Sequence, residues 1–313
     1  MNKWIEQLKY GATRLFKKKI SITVVAVLLL LCLISAVVWK MTTPKSYMGT
    51  WIWNASVLEN QQQDILHFAS QNRITHLYVW VNAANAQKET YQKFIEAASS
   101  NHIKVEALAG DPSWATLKAQ KNIRQFLNWV KDYNASVNPQ SRFSGVHLDI
   151  EPYLLPDWKT NQQPIVKEWM SNIVMISQTM RGSLPGLTST ADLPFWVNAL
   201  KTPDAKENLS TWIMKRFDHI SIMAYRDKGV GPDSIYELSN PLIQEANGLN
   251  KSVIIDVQIN PVKEGSNTTF NKKGAVEMRR QMNKVQDKFY YSSALLGFAV
   301  HDYSAWRASD NVR

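Results

Sequence analysis

Between residues 48 and 313 the chain alternates, eight times over, a short strand-like run with a stretch of helical character. The strand candidates are Thr50 to Trp53, His76 to Val81, Lys104 to Leu108, Gly145 to Ile150, Leu187 to Ala191, His219 to Ala224, Ser252 to Ile259 and Leu296 to His301. Between them, Tyr91, Phe94, Ile95 and Ala98 recur at i, i+3, i+4 and i+7, as do Ile123, Phe126, Leu127 and Val130. Trp169, Ile173 and Ile176 mark another helix, and Met278, Met282, Val285 and Phe289 a further one. Apolar side chains at that spacing share one helical face and must be covered by another element. Eight strands alternating with helices, in a segment close to the roughly 250 residues typical of the architecture, predict an α/β fold of the (β/α)8 TIM-barrel type. An open doubly wound sheet is the competing arrangement. The sequence runs out soon after the eighth strand, so the last helix is expected to be a single turn or absent. An apolar share of 45%, with 11% aromatic residues, is enough for one sizeable core.

The first forty residues do not fit that core. Residues 20–39 are apolar or small and uncharged; at about 1.5 Å per helical residue they span the roughly 30 Å hydrocarbon layer of a bilayer. A transmembrane helix is predicted there. Lys3, Lys9, Arg14, Lys17, Lys18 and Lys19 precede it against the single acid Glu6, while only Lys40 and Lys45 follow closely. The positive-inside rule then places the N-terminus in the cytoplasm and the rest outside, as a single-pass protein of the cell membrane. The expected organisation is a basic cytoplasmic tail over 1–19, a membrane helix over 20–39, a linker over 40–47 and the barrel over 48–313. A cleaved signal peptide gives the same topology, but its apolar core runs to only about 7 to 15 residues.

Residues 1–45 hold eight Lys/Arg and one acid, leaving +3 of the total +10 for all that follows. The basic balance is a topology signal, and no nucleic-acid partner is expected. Cys32, the one cysteine, lies inside the apolar stretch and cannot form a disulfide within the outer domain. That domain must hold together by its core alone.

Ser144 to Glu151 read SGVHLDIE. On a strand, Asp149 and Glu151 leave the same face, two residues apart. Pro152 follows at once and ends the strand, so both acids sit at its C-terminal end, where barrels of this type carry their chemistry. Two carboxyls that close in a partly apolar mouth disfavour double ionisation, so one is expected to keep its proton towards neutral pH, and Glu151, nearest the rim, is the expected one. The bland reading is that both acids form salt bridges with a neighbouring loop.

Polar and aromatic residues gather at the other strand ends: Asn54, Asn82, Asp111, Trp114, Asp192, Trp196, Tyr225, Asp227, Asn260, Glu264, Asp302, Tyr303 and Trp306. Aromatic faces pack on the C–H faces of sugar rings while carboxylates and amides bind hydroxyls, which suits a carbohydrate cleft. Most tryptophans are nonetheless expected in the core: Trp51 and Trp53 lie on a strand, Trp129 and Trp169 on helices. No GxSxG elbow, phosphate loop, HExxH or CxxC is present.

SGVHLDIE resembles the DGxDxDxE signature on the fourth strand of the family 18 glycoside hydrolases, the chitinase-like (β/α)8 barrels, and Met223-Ala224-Tyr225 resembles that family's sixth-strand M-x-Y motif. The resemblance spans residues 48–313. It implies that Glu151 is the general acid that protonates the leaving glycosidic oxygen. It implies that Asp149 orients and stabilises a substrate 2-acetamido group whose carbonyl oxygen attacks the anomeric carbon, and that Tyr225 hydrogen-bonds that oxygen. The chain departs from the pattern at Ser144, where the family has Asp, and at His147, where the family has the acid that shares a proton with the next one. Arg226 follows Tyr225 where the family often has Asp or Asn.

The expectation is a membrane-anchored, extracytoplasmic O-glycosyl hydrolase acting on a cell-surface or extracellular polysaccharide or oligosaccharide, including one with N-acetylated amino sugars. Its catalytic residues are Glu151, Asp149 and Tyr225. Its substrate contacts are Trp53, His147, Tyr153, Asp192, Asp227, Asp302 and Trp306. No cofactor and no metal are called for, and membrane lipid is a partner through the N-terminal helix. Two alternatives stand beside it: a non-catalytic carbohydrate-binding barrel, and a metal-dependent hydrolase using His147, Asp149 and Glu151.

Overall fold

A computed structural model of the chain describes residues 47–262 and 267–310, and of the earlier sequence only Val27 and Leu30. The basic tail, the expected membrane helix and Glu264 therefore lie outside the described residues, apart from those two positions. Among the described residues no helix is long and apolar enough to cross a membrane.

Eight parallel strands close on themselves in sequence order: β1 (Tyr47–Ile52), β2 (His76–Trp80), β3 (Lys104–Ala109), β4 (Gly145–Leu148), β5 (Thr188–Pro194), β6 (His219–Met223), β7 (Ser252–Gln258) and β8 (Leu295–His301), with β8 pairing back onto β1. This is the closed barrel, not the open sheet. The main helices are α1 (Gln62–Gln71), α2 (Lys88–Ser100), α3 (Gln120–Ser136), α4 (Trp158–Ser183), α5 (Leu209–Met214), α6 (Ile235–Leu249), α7 (Gly274–Lys288) and α8 (Tyr303–Asp310). Residues 45–313 form one compact unit.

The helices form because their periodic apolar faces meet the outer face of the barrel. In α3 the buried apolar positions are Ile123, Phe126, Leu127, Val130 and Tyr133, the i, i+3, i+4 spacing of a single stripe. In α6, Ser234 caps the start by accepting from the Glu237 amide, and Asn250 ends it in the left-handed conformation. The main core lies between strands and helices, whereas Trp51, Tyr78, Leu108, Ile254 and Ala299 make a second cluster inside the barrel. The last helix is longer than expected. It makes two turns because Tyr303 and Trp306, three apart, are buried edge-on against Phe68 of α1, at 5.5 and 5.4 Å between ring centres, while Asp302 Oδ1 accepts from the Ala305 amide to start it.

Two strand ends differ from expectation in ways that matter for the site. β5 runs on to Pro194, so Asp192 is part of the strand and points into the barrel rather than standing on a loop. β4 stops at Leu148, and Asp149 continues only its amide bond to Ala109 of β3, at 3.0 Å.

Candidate active site at the C-terminal mouth

The backbone at Asp149 passes so close to the end of β3 that a Cβ on Gly110 would fall 1.8 Å from the Asp149 carbonyl oxygen. Only glycine fits there. Beyond it, Pro152 opens a short 3-10 turn, Pro152–Leu154, closed by the Leu154 amide donating to the Glu151 carbonyl. That turn folds Tyr153 back so that its hydroxyl donates to Glu151 Oε1. Asp149, Glu151, Tyr153 and Tyr225 are all half-buried. Asp149 Oδ1 is buried and has no hydrogen-bond partner among the described residues.

Aromatic pairs stand close by. At the ends of β1 and β2, Trp53 and Trp80 lie 5.6 Å apart, and the Trp53 indole N–H donates to Nε2 of His301 at the end of β8, at 3.0 Å. His301 is therefore a neutral imidazole, as its burial also favours. After β4 and β5, Tyr153 meets Trp196 edge-on at 5.2 Å.

Below the mouth, His147 is fully buried. Its Nε2 lies 2.7 Å from Asp192 Oδ1, and its Nδ1 lies 3.5 Å from Glu106 Oε2, an ion-pair contact rather than a full hydrogen bond. Tyr78 stacks on its ring at 3.9 Å. Asp256 on β7 accepts from the Ser221 hydroxyl at 2.5 Å. The barrel interior thus holds five carboxyls (Glu106, Asp149, Glu151, Asp192, Asp256) near the His147 imidazole.

Burial holds Asp149 well above the usual carboxylate range, and the Asp192 and Glu151 charges add to it. Glu151 is raised by burial, with the Tyr153 hydroxyl pulling the other way. Both acids thus gain proton affinity, Glu151 at the rim and Asp149 beside it. Burial opposes a charge on His147, but Asp192 and Glu106 outweigh it and push its pKa up to about 10.

No family model and no curated protein matches the sequence. Solved structures do match the fold. A class V chitinase mutant from the plant Cycas revoluta, solved with (GlcNAc)3, superposes with a TM-score of 0.55 at 14% identity, over 84% of this chain and 97% of that one. A chitinase from Bacteroides thetaiotaomicron gives 0.52 at 12% identity, over 83% and 90%. The spore cortex-lytic enzyme SleL of Bacillus cereus gives 0.50 at 11%, over 84% and 73%. The chain has the fold of the family 18 glycoside hydrolases.

The barrel brings together Asp149, Glu151, Tyr153, Tyr225 and Trp53 at its mouth, and separates them from several other residues named above. Trp306 is buried under α1 in the helical layer, and Trp114 packs on Phe126 of α3. A position just after a strand does not say which way the side chain turns. Asp302 caps α8 and is tied to Asn260, and Asp227 is paired with Lys273 at 2.7 Å; both serve the loops rather than an open cleft. Asn54, Asn82 and Asp111 likewise accept from amides two residues on. His147 and Asp192 are buried below the mouth. With both His147 nitrogens facing carboxylates, the ligand set of the metal-dependent alternative is not assembled, and among the described residues no group of three or more His, Cys, Asp or Glu is placed to hold a metal ion. Glu106, Asp256 and Trp80 were missed. The sequence does carry a faint signal for the two acids: each is the lone acid of a strand rich in apolar residues, and a lone buried acid needs a partner.

Proposed function

We propose that this chain is a glycoside hydrolase, anchored in the cell membrane by its N-terminal segment, that acts outside the cytoplasm on a polysaccharide containing N-acetylated amino sugars. The observation that carries the reading is the placement of Asp149 and Glu151 side by side in a half-buried mouth flanked by Trp53, Trp80, Tyr153 and Trp196, with burial raising the proton affinity of both acids. An acid must hold a proton near the working pH to deliver it to a leaving oxygen, and rings beside it supply the packing surface for sugar faces. Glu151 donates that proton as the C1–O bond breaks. The substrate's own acetamido oxygen closes on C1, oriented by Tyr225 and with its developing charge stabilised by Asp149, and water then opens the intermediate with Glu151 taking the proton back. The (GlcNAc)3 bound by the Cycas revoluta enzyme supports an amino-sugar substrate, and the cortex-lytic fold relative supports an envelope polymer among the candidates.

Residues 45–313 carry their own core and a closed sheet, the marks of a unit that folds alone. That segment should be assayed on chitin oligosaccharides, peptidoglycan and amino-sugar exopolysaccharides beside Glu151→Gln and Asp149→Asn. Hydrolysis of one polymer, lost in both variants with binding retained, is the expected result. Binding with no hydrolysis by the unaltered segment would mark a carbohydrate-binding barrel instead. Membrane anchoring is checked separately, by fractionating the full chain and testing which side of the membrane a protease reaches.

A further inference from the structure

Glu106, His147 and Asp192 form a buried unit directly beneath the mouth that nothing in the proposed chemistry uses. Its geometry restricts its protons. Both ring nitrogens of His147 face carboxylate oxygens, at 2.7 Å and 3.5 Å; a neutral imidazole would have to aim a lone pair at one of those anions, whereas an imidazolium offers each a proton. The ring has no freedom to turn away, because Tyr78 covers one face at 3.9 Å and Trp51 meets its edge at 5.6 Å. Gly145 beside it is closed in by Thr188, whose hydroxyl oxygen would lie 2.3 Å from an added Cβ, with the Glu106 carboxyl carbon at 3.3 Å, and Thr190 offers its hydroxyl to Glu106 at 3.5 Å.

Asp192 links this unit to the mouth. One of its oxygens is taken by His147, and its charge is the strongest charged influence on Asp149. Resting on the glycosidase reading above, we propose that Glu106, His147 and Asp192 are positioning residues: His147 is a buried cation clamped between the Glu106 and Asp192 carboxyls, and the pair it makes with Asp192 sets the charge felt by Asp149 above it. The other ionisable groups facing this unit do not compete for that role. Tyr47 on β1 and Tyr78 on β2 are held neutral by burial, and so are His76 on β2 and His219 on β6. Burial pushes up both Asp256 on β7 and Glu151 at the mouth. His301 on β8 is neutral. Among the described groups His147 is left as the one cation of the barrel axis.

The test needs no substrate. The full chain, labelled with nitrogen-15 histidine and with aspartate carbon-13 at the carboxyl, is followed by NMR from pH 5 to 9 on the scale set by ordinary histidine and carboxyl titration, with His147 and Asp149 assigned from His147→Gln and Asp149→Asn. Both His147 ring nitrogens should remain protonated through neutral pH, and Asp149 should titrate well above an ordinary carboxyl. In Asp192→Asn the Asp149 titration should move down and His147 should lose its cation at lower pH than before; in Glu106→Gln only the His147 change should be large. A neutral His147 at pH 7, or an Asp149 titration unmoved by Asp192→Asn, overturns the proposal. An inactive protein with a cationic His147 would sink the glycosidase reading alone, while an active one with a neutral His147 would sink this inference alone.

Discussion

At Glu151, burial strengthens the hold on the proton while the Tyr153 hydroxyl, donating to Oε1, weakens it. The alkaline limb of kcat/KM for a general acid follows loss of that proton. Tyr153→Phe removes a donor that favours the carboxylate, so the Glu151 pKa rises and the alkaline limb should move to higher pH, while the ring contact with Trp196 survives. A limb that stays put or moves down in a pH–rate profile would show that Glu151 is not the titrating donor. Glu151→Gln cannot donate at all, and kcat should fall by about 10² to 10⁴-fold, the usual weight of a positioned acid, with oligosaccharide affinity by calorimetry little changed. Substitution of Asp149 by Asn keeps the shape but not the charge that the mechanism needs late in the reaction, so it too should lower kcat more than affinity.

The elements were legible where packing alone decides them. All eight strands and the four helices with a clear stripe could be read because apolar spacing reports which face is covered, and the barrel followed from their alternation. The site was legible only in part. Asp149 and Glu151 were marked by the proline after them, but Asp192 read as a strand-end residue although it lies within β5, because an acid with a proline soon after it is the usual punctuation of a strand end. Trp306 read as a rim aromatic because nothing local distinguishes a side chain turned under α1 from one turned to the mouth. That difference is measurable. Trp306→Ala should cost about 3 to 5 kcal/mol in unfolding free energy and leave oligosaccharide affinity unchanged in the folded protein. Trp53→Ala, at the mouth, should do the reverse, weakening affinity with a small effect on stability. At the junction of β3 and β4, Gly110→Ala forces a methyl into the Asp149 carbonyl and should cost about 1 to 3 kcal/mol as an overpacked site, with activity falling further because the strained backbone carries Asp149.

The molecule as a whole places its unlike charges on one axis, and its stability should therefore carry a signature of that column. Burial pushes the Glu106 pKa up but His147 outweighs it, and the folded value lies below the ordinary 4.5. Its stabilisation is present above 4.5 and is lost as pH falls through the folded value. His147 behaves in the opposite sense: its folded pKa is raised from 6.5 to about 10, so its stabilisation is complete below 6.5 and is lost as pH rises through about 10. Asp149 and Asp256, both raised above 3.8, also bind protons more tightly in the folded state and lose their contribution as pH rises through their raised values. Above 6.5 no member of the column gains from a further rise, and His147 loses. Urea unfolding at fixed temperature should therefore show a midpoint that falls steadily from pH 6.5 to about 10. In His147→Gln the same scan starts from a lower midpoint and should be flatter, since the group with the largest proton difference in that window is gone. A wild-type midpoint that is level or rising across the window would mean that the imidazole is neutral in the folded barrel and that the acids of the axis are balanced in some other way.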